Sequence, residues 1–234
     1  MNSNDKTARY LGGAFLAVIL TSLVSGAAAD SALGSGSVAG ILANASTNAG
    51  AMHVAILAGM LNAVGILVLA TLLYAVLRVE SKTMALIGVL CWTGEAFFYA
   101  LQAISWAGLI RAGTDFAAAG SPANSFYQAL GSFLYQDGYE LSGTILMFFY
   151  CAGGLLFYYL FWESRFIPRW LAGYGLAAVV VGLAGGSAEL LGNHIGMAAY
   201  IAIGPFELVT GCLLAARGVG GRVARLDTSA ATVR

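Results

Sequence analysis

Charge is scarce in this chain. Only 9% of its 234 residues are Asp, Glu, Lys or Arg, 11 basic against 11 acidic, and the formal net charge is zero. Soluble domains carry about 25% charged residues, so a freely soluble globular protein is excluded. With no basic excess and no basic patch beyond a sparse C-terminal tail, a nucleic-acid partner is excluded too. Proline is scarce, at three residues, which leaves long stretches open to helix. The three cysteines, Cys91, Cys151 and Cys212, all lie inside apolar runs without close pairing. They read as small buried hydrophobes, not as a disulfide framework or a thiolate metal site. The chain has no nucleotide-binding Gly-rich loop, no nucleophile elbow and no His-Glu-x-x-His zinc helix. It also lacks two halves with matching interrupted helices, the strongest pointer to a secondary transporter.

What the chain has in abundance is apolar length: 59% of it is hydrophobic. About 20 consecutive apolar residues suffice to cross a bilayer, and six such stretches occur, near 10–29, 54–77, 84–110, 141–161, 167–188 and 195–215. Every backbone N–H and C=O in the hydrocarbon must be paired internally, and the runs are too long and too evenly apolar for barrel strands. The expected fold is therefore all-α, a polytopic bundle of six transmembrane helices forming one integral domain over 1–234. Lys6, Arg9, Arg78, Lys82, Arg165, Arg169, Arg217, Arg222, Arg225 and Arg234 fall in one set of connections, ten of the eleven basic residues, and only Arg111 in the other. This bias predicts an inner-membrane protein with both termini in the cytoplasm. The opening "KTARYLGGAFLAVILTSLVSGAAAD" also has the basic start and Ala27-Ala28-Ala29 triplet of a cleavable signal, but its apolar run exceeds the usual 7 to 15 residues.

Two outer connections have some length. Residues 30–48 are small, polar and rich in Gly and Ser, which predicts a flexible link. Between the third and fourth spans, Ser121-Pro122 reads as a helix start, and Phe126, Leu130, Phe133 and Leu134 recur at helical spacing. The expectation there is a short helix on the outer surface, or an outward extension of the fourth span bent at Gly138. Trp162, Phe166 and Trp170 mark the inner interface. In the fifth span Gly182 and Gly186 would let a neighbour approach closely, a packing signal. Residues 218–234 read as a disordered cytoplasmic tail.

"TARYLGGAFLAV", "EAFFYALQAI", "YYLFWESRFIPRWLAGYGLA" and "IGPFELVTGCLLAARGV" together resemble the family catalogued as domain of unknown function 4386. The resemblance covers nearly the whole chain, and its most specific part is the basic, Pro-containing turn before the Gly-rich fifth helix. It implies a bacterial multi-pass membrane protein, a retained first helix and six spans, and it supplies no reaction. Glu207 falls where the family carries a Gly-Glu pair in its last helix, whereas this chain has Pro205 and Phe206 before the acid.

Polar residues divide by depth. At about 1.5 Å per helical residue and roughly 30 Å of hydrocarbon, Glu189 lies 20 residues past Arg169, His194 23 before Arg217, His53 25 before Arg78 and Glu140 25 before Arg165. All four reach the outer boundary, with Asp137 beside them. The plain reading is that they mark where helices meet water. The sharper one is a metal site of His53, Glu140, Glu189 and His194, suited to zinc or iron, as in a membrane-embedded metal-dependent enzyme. A haem held between the two histidines is a lesser variant. Glu189 and His194, five apart, lack the Glu-x-x-His spacing of bundle metal sites.

Glu95 and Glu207 differ. Glu95 is 13 residues from Lys82 and 16 from Arg111, and Glu207 is 10 from Arg217 and 13 from His194, which places both near the midplane. An ionised carboxylate there costs about 2.5 to 3.5 kcal/mol on insertion scales, so both acids should face protein or enclosed water. Glu95, Tyr99, Gln102 and Trp106 recur on one helical face, and Tyr200, Glu207 and Thr210 on another, with Asn62 and Thr144 as further contributors. A plain interhelical hydrogen bond would account for either acid. The functional alternative is a cavity that binds or moves a small ligand or a proton, using Glu95, Tyr99, Gln102, Tyr200 and Glu207. A third expectation is an accessory subunit that packs on a membrane partner, or on a second copy of itself, through the Gly-bearing fifth helix. The lipid bilayer is the one partner every reading requires, and no cofactor is specified by the residues.

Overall fold

The computed structural model describes residues 3–193 and 195–217; His194 and the expected tail 218–234 lie outside them. The described residues form α1 (Ser3–Leu33), α2 (Val38–Thr47), α3 (Ala49–Leu77), α4 (Lys82–Ala118), α5 (Phe126–Tyr135), a π-helical turn (Gln136–Leu141), α6 (Ser142–Ser164), α7 (Arg169–Leu190), a 3-10 turn (Gly196–Tyr200) and α8 (Ile203–Arg217). There is no strand among them. Six helical stretches are long and apolar enough to cross a membrane: Thr7–Leu33, Ala49–Leu77, Lys82–Ala118, Phe126–Ser164, Arg169–Leu190 and Ala198–Ala216. They are the six expected spans, most of them longer than expected. Large apolar side chains such as Leu20, Leu57, Leu61 and Ile104 are exposed, as a lipid solvent requires.

The helix expected between the third and fourth spans is α5. It runs without a break through the π turn, which contains Gly138, into α6, so it is an extension of the fourth span. Its start is not at Ser121-Pro122. Gly120, at φ +78°, and Ser121 close α4 in a Schellman arrangement, with Ser121 N–H donating to the Phe116 carbonyl and Gly120 N–H to that of Ala117. Ser125 then caps α5 by accepting from the Gln128 N–H. Residues 30–48 are likewise not a flexible link, because α2 occupies most of them, capped by Ser37.

Two compact units are distinguished. Unit one comprises the described residues within Met1–Ile19, Gly65–Thr93 and Phe148–Arg234, and unit two comprises Leu20–Val64 and Gly94–Met147. In unit one, Gly12 lets α1 and α8 meet backbone to backbone: a Cβ there would stand 2.8 Å from the Gly211 carbonyl oxygen. Aromatic rings fill further close approaches, with Phe206 of α8 over Gly175 of α7 and Phe157 of α6 over Gly88 of α4.

Unit two is built around α2. Leu42, fully buried, fits against Gly131 of α5, where a Cβ would meet its isobutyl group at 2.9 Å, and its carbonyl lies against Gly113 of α4. The Asn44 and Asn48 side-chain amides donate to the carbonyls of Leu33 and Ala32 at 2.9 and 3.1 Å, which pairs the last turn of α1. Ala29, Met52, Trp106, Leu109 and Phe116 complete this core.

Candidate functional site

α6 and α8 bring a carboxylate and two phenols together inside unit one. Glu207 lies in the stretch "GPFELVTG", in which Phe206 is fully buried and Leu208 and Val209 are exposed, leaving the acid half-buried. Its Oε1 accepts from the Tyr150 hydroxyl at 2.9 Å. The Tyr150 and Tyr158 hydroxyls are 2.6 Å apart. A phenol has one proton, so while Tyr150 donates to Glu207, Tyr158 must donate to Tyr150. The result is an ordered chain, Tyr158 to Tyr150 to Glu207. Its geometry is held by aromatic packing: Trp92 stacks on Tyr150 at 5.8 Å and 9°, donates its indole N–H to the Tyr150 carbonyl at 3.0 Å, and meets Phe157 edge-on at 4.9 Å. Tyr158 packs against Phe206, centroids 4.3 Å apart.

Two further hydroxyls of unit one are buried and make no hydrogen bond among the described residues: Tyr200 Oη and Thr210 Oγ1. Thr210 is on α8, one turn past Glu207. Tyr200, expected on the same helical face, lies in the 3-10 turn before α8, and its hydroxyl rests on α7, where a Cβ at Gly186 would stand 2.7 Å away. The notch at Gly182 takes Cys151 Sγ and the Tyr200 ring. The small residues of α7 are thus covered by the chain itself.

The other expected face belongs to unit two. Glu95, Gln102 and Trp106 on α4 are buried and Tyr99 half-buried, so this stripe faces protein. Gln102 donates to the Tyr139 carbonyl at 3.2 Å, which also accepts the Ser142 backbone N–H at the end of the π turn. Tyr99 and Ser22 hydroxyls are 3.3 Å apart, and Asn62, fully buried, accepts from Thr21 at 2.9 Å. Tyr139 donates to Asp30 at 2.9 Å and its ring packs 5.6 Å from that of Trp106. Thr144 turns its hydroxyl to the Glu140 carbonyl of its own helix.

Of the residues expected at the rim, His53 and Glu140 are exposed in unit two, and Glu189 is half-buried in unit one. Among the described residues no group of three His, Cys, Asp or Glu side chains is placed to hold a metal ion. His194, the fourth member of the expected set, lies outside them.

Sequence reasoning missed Tyr150 and Tyr158, the partners of Glu207. Their signal is two phenols eight residues apart, on one side of an otherwise apolar helix, in "YCAGGLLFYYLF". A family model described as Domain of unknown function (DUF4386) matches residues 10–218 of the chain. No curated protein and no solved structure matches it.

Proposed function

The chain belongs to the DUF4386 family and is a multi-pass membrane protein, and from that premise we propose that it binds and passes a proton through the hydroxyl chain ending at Glu207. The supporting observation is the Tyr158–Tyr150–Glu207 sequence of hydrogen bonds, 2.6 and 2.9 Å long, in the apolar interior of unit one. A proton arriving at Tyr158 displaces the one already there to Tyr150, and that of Tyr150 passes to the Glu207 carboxylate. Both phenols end protonated, and the carboxylate becomes the neutral acid that hydrocarbon tolerates. Once protonated, Glu207 is itself the donor and the chain runs the other way. Trp92 keeps the Tyr150 ring from turning out of line.

A second reading is favoured by Tyr200 and Thr210. Two buried hydroxyls without a protein partner among the described residues suit a small, partly apolar ligand with a polar group. Glu95 enters either reading as the buried acid of unit two, to be tested separately by Glu95→Gln.

The direct experiment uses purified protein in vesicles with an entrapped pH dye and an imposed pH gradient. The expected result is a proton flux that Glu207→Gln lowers by roughly a hundredfold. A flux equal in native protein and variant removes the proposal. We propose a bacterial cytoplasmic membrane, as the family resemblance implies, with both ends inside, as the ten basic residues in one set of connections favour.

A further inference from the structure

The turn between α6 and α7 presents two exposed arginines and one exposed acid, Glu163, and so carries a net positive charge. Arg165 and Arg169 are both exposed, four residues apart, and neither makes an ion pair among the described residues. Arg165 stands just past the end of α6 with φ +54°, the left-handed position that helix ends usually give to Gly or Asn. The backbone there would favour a residue with no side chain, yet it carries a long cationic one. Arg169 is held in place: its guanidinium lies 5.7 Å from the centroid of the Trp162 ring. That ring in turn rests on the bare backbone of α7, where a Cβ at Gly173 would meet it at 2.8 Å. The result is a shelf joining two helices, an indole with a guanidinium parked over it, and a second arginine four residues earlier in the turn. Trp170, 68% exposed, and Tyr174, 41% exposed, extend it along α7 toward the hydrocarbon.

Amphipathic rings of this kind settle at headgroup level. A planar guanidinium matches a phosphate in two-point geometry and is more weakly hydrated than an ammonium. Two forks outside any ion pair among the described residues, beside an aromatic shelf at that depth, complement one kind of partner. We propose that the α6–α7 turn binds the phosphate of an anionic phospholipid, with Arg165 and Arg169 on the headgroup and Trp162 and Trp170 flanking the glycerol and upper acyl region. This goes beyond the proton pathway and does not depend on it.

The test places the full-length protein in nanodiscs of phosphatidylcholine containing a minor fraction of brominated phosphatidylglycerol, and reads quenching of tryptophan fluorescence. Brominated phosphatidylglycerol is expected to quench more than the same fraction of brominated phosphatidylcholine. Arg165→Gln and Arg169→Gln should each weaken the preference roughly fivefold. If Arg169→Gln does not fold, Arg165→Gln alone decides, because the Arg165 side chain is exposed. Arg111→Gln, in unit two, is the control and should leave the preference intact. Inorganic phosphate should not displace the lipid. Equal quenching by the two lipids, an unchanged preference in Arg165→Gln and Arg169→Gln, an equal loss in Arg111→Gln, or displacement by phosphate would each overturn the proposal.

Discussion

Tyr150 serves two neighbours with a single hydroxyl, giving its proton to Glu207 and receiving one from Tyr158. Replacing it with Phe preserves the ring that Trp92 stacks on and deletes only the oxygen, so packing and hydrogen bonding are separated. Tyr150→Phe is expected to leave the Glu207 carboxylate short of its donor, at a cost of about 1 to 3 kcal/mol, visible as a lower unfolding midpoint in detergent. It should also reduce proton flux to the level of Glu207→Gln. A Tyr150→Phe variant with native flux would show that the hydroxyl chain is structural only. Glu207 itself was legible as an acid stranded in an apolar run. Its partners were not, because a tyrosine in a span is ordinarily part of the interfacial belt, and whether its hydroxyl meets an acid depends on how α6 is rotated against α8. The same limit applies to Tyr200, whose burial rests on Gly186 of α7 and not on the helical wheel of its own segment.

Among the elements, α2 and the start of α5 show how neighbours override local composition. Residues 34–40, "GSGSVAG", have the look of a linker, yet α2 forms because Leu42 finds two glycine surfaces and because Asn44 and Asn48 pair the end of α1. Asn44→Ala should lower stability by about 1 kcal/mol, measured by thermal unfolding, and an unchanged midpoint would mean that lipid or water replaces the amide. The α4 to α6 contact is tighter. A Cβ at Gly153 would lie 2.7 Å from the Trp92 indole nitrogen, a fully buried ring with no room to retreat. Gly153→Ala is therefore expected to cost about 1 to 3 kcal/mol by overpacking and to reduce flux by tilting the ring that holds Tyr150. The α5 start was misplaced because Ser121-Pro122 has the chemistry of a cap, whereas its backbone was already committed to closing α4 at Gly120.

For the molecule as a whole, the clearest test is topological. Reporter fusions at the N-terminus, in the 78–82 turn, in the 165–169 turn and at the C-terminus are expected to report one compartment, and fusions at 34–37 and 120–124 the other. Termini on opposite sides would remove a span and with it the depth assigned to Glu207. The hydrophobic spans and their helical state could be read directly, since a bilayer imposes length and internal hydrogen bonding on any chain that crosses it. The presence of two acids within those spans was equally open to reading, because charge in hydrocarbon is conspicuous. What only the tertiary structure decided was pairing: that Tyr150 and Tyr158 attend Glu207, that Trp162 carries Arg169, that α2 is a helix. Each of these depends on rotation and close approach between segments far apart in the chain, where a glycine or a ring of one sets the position of the other, and no local pattern encodes that.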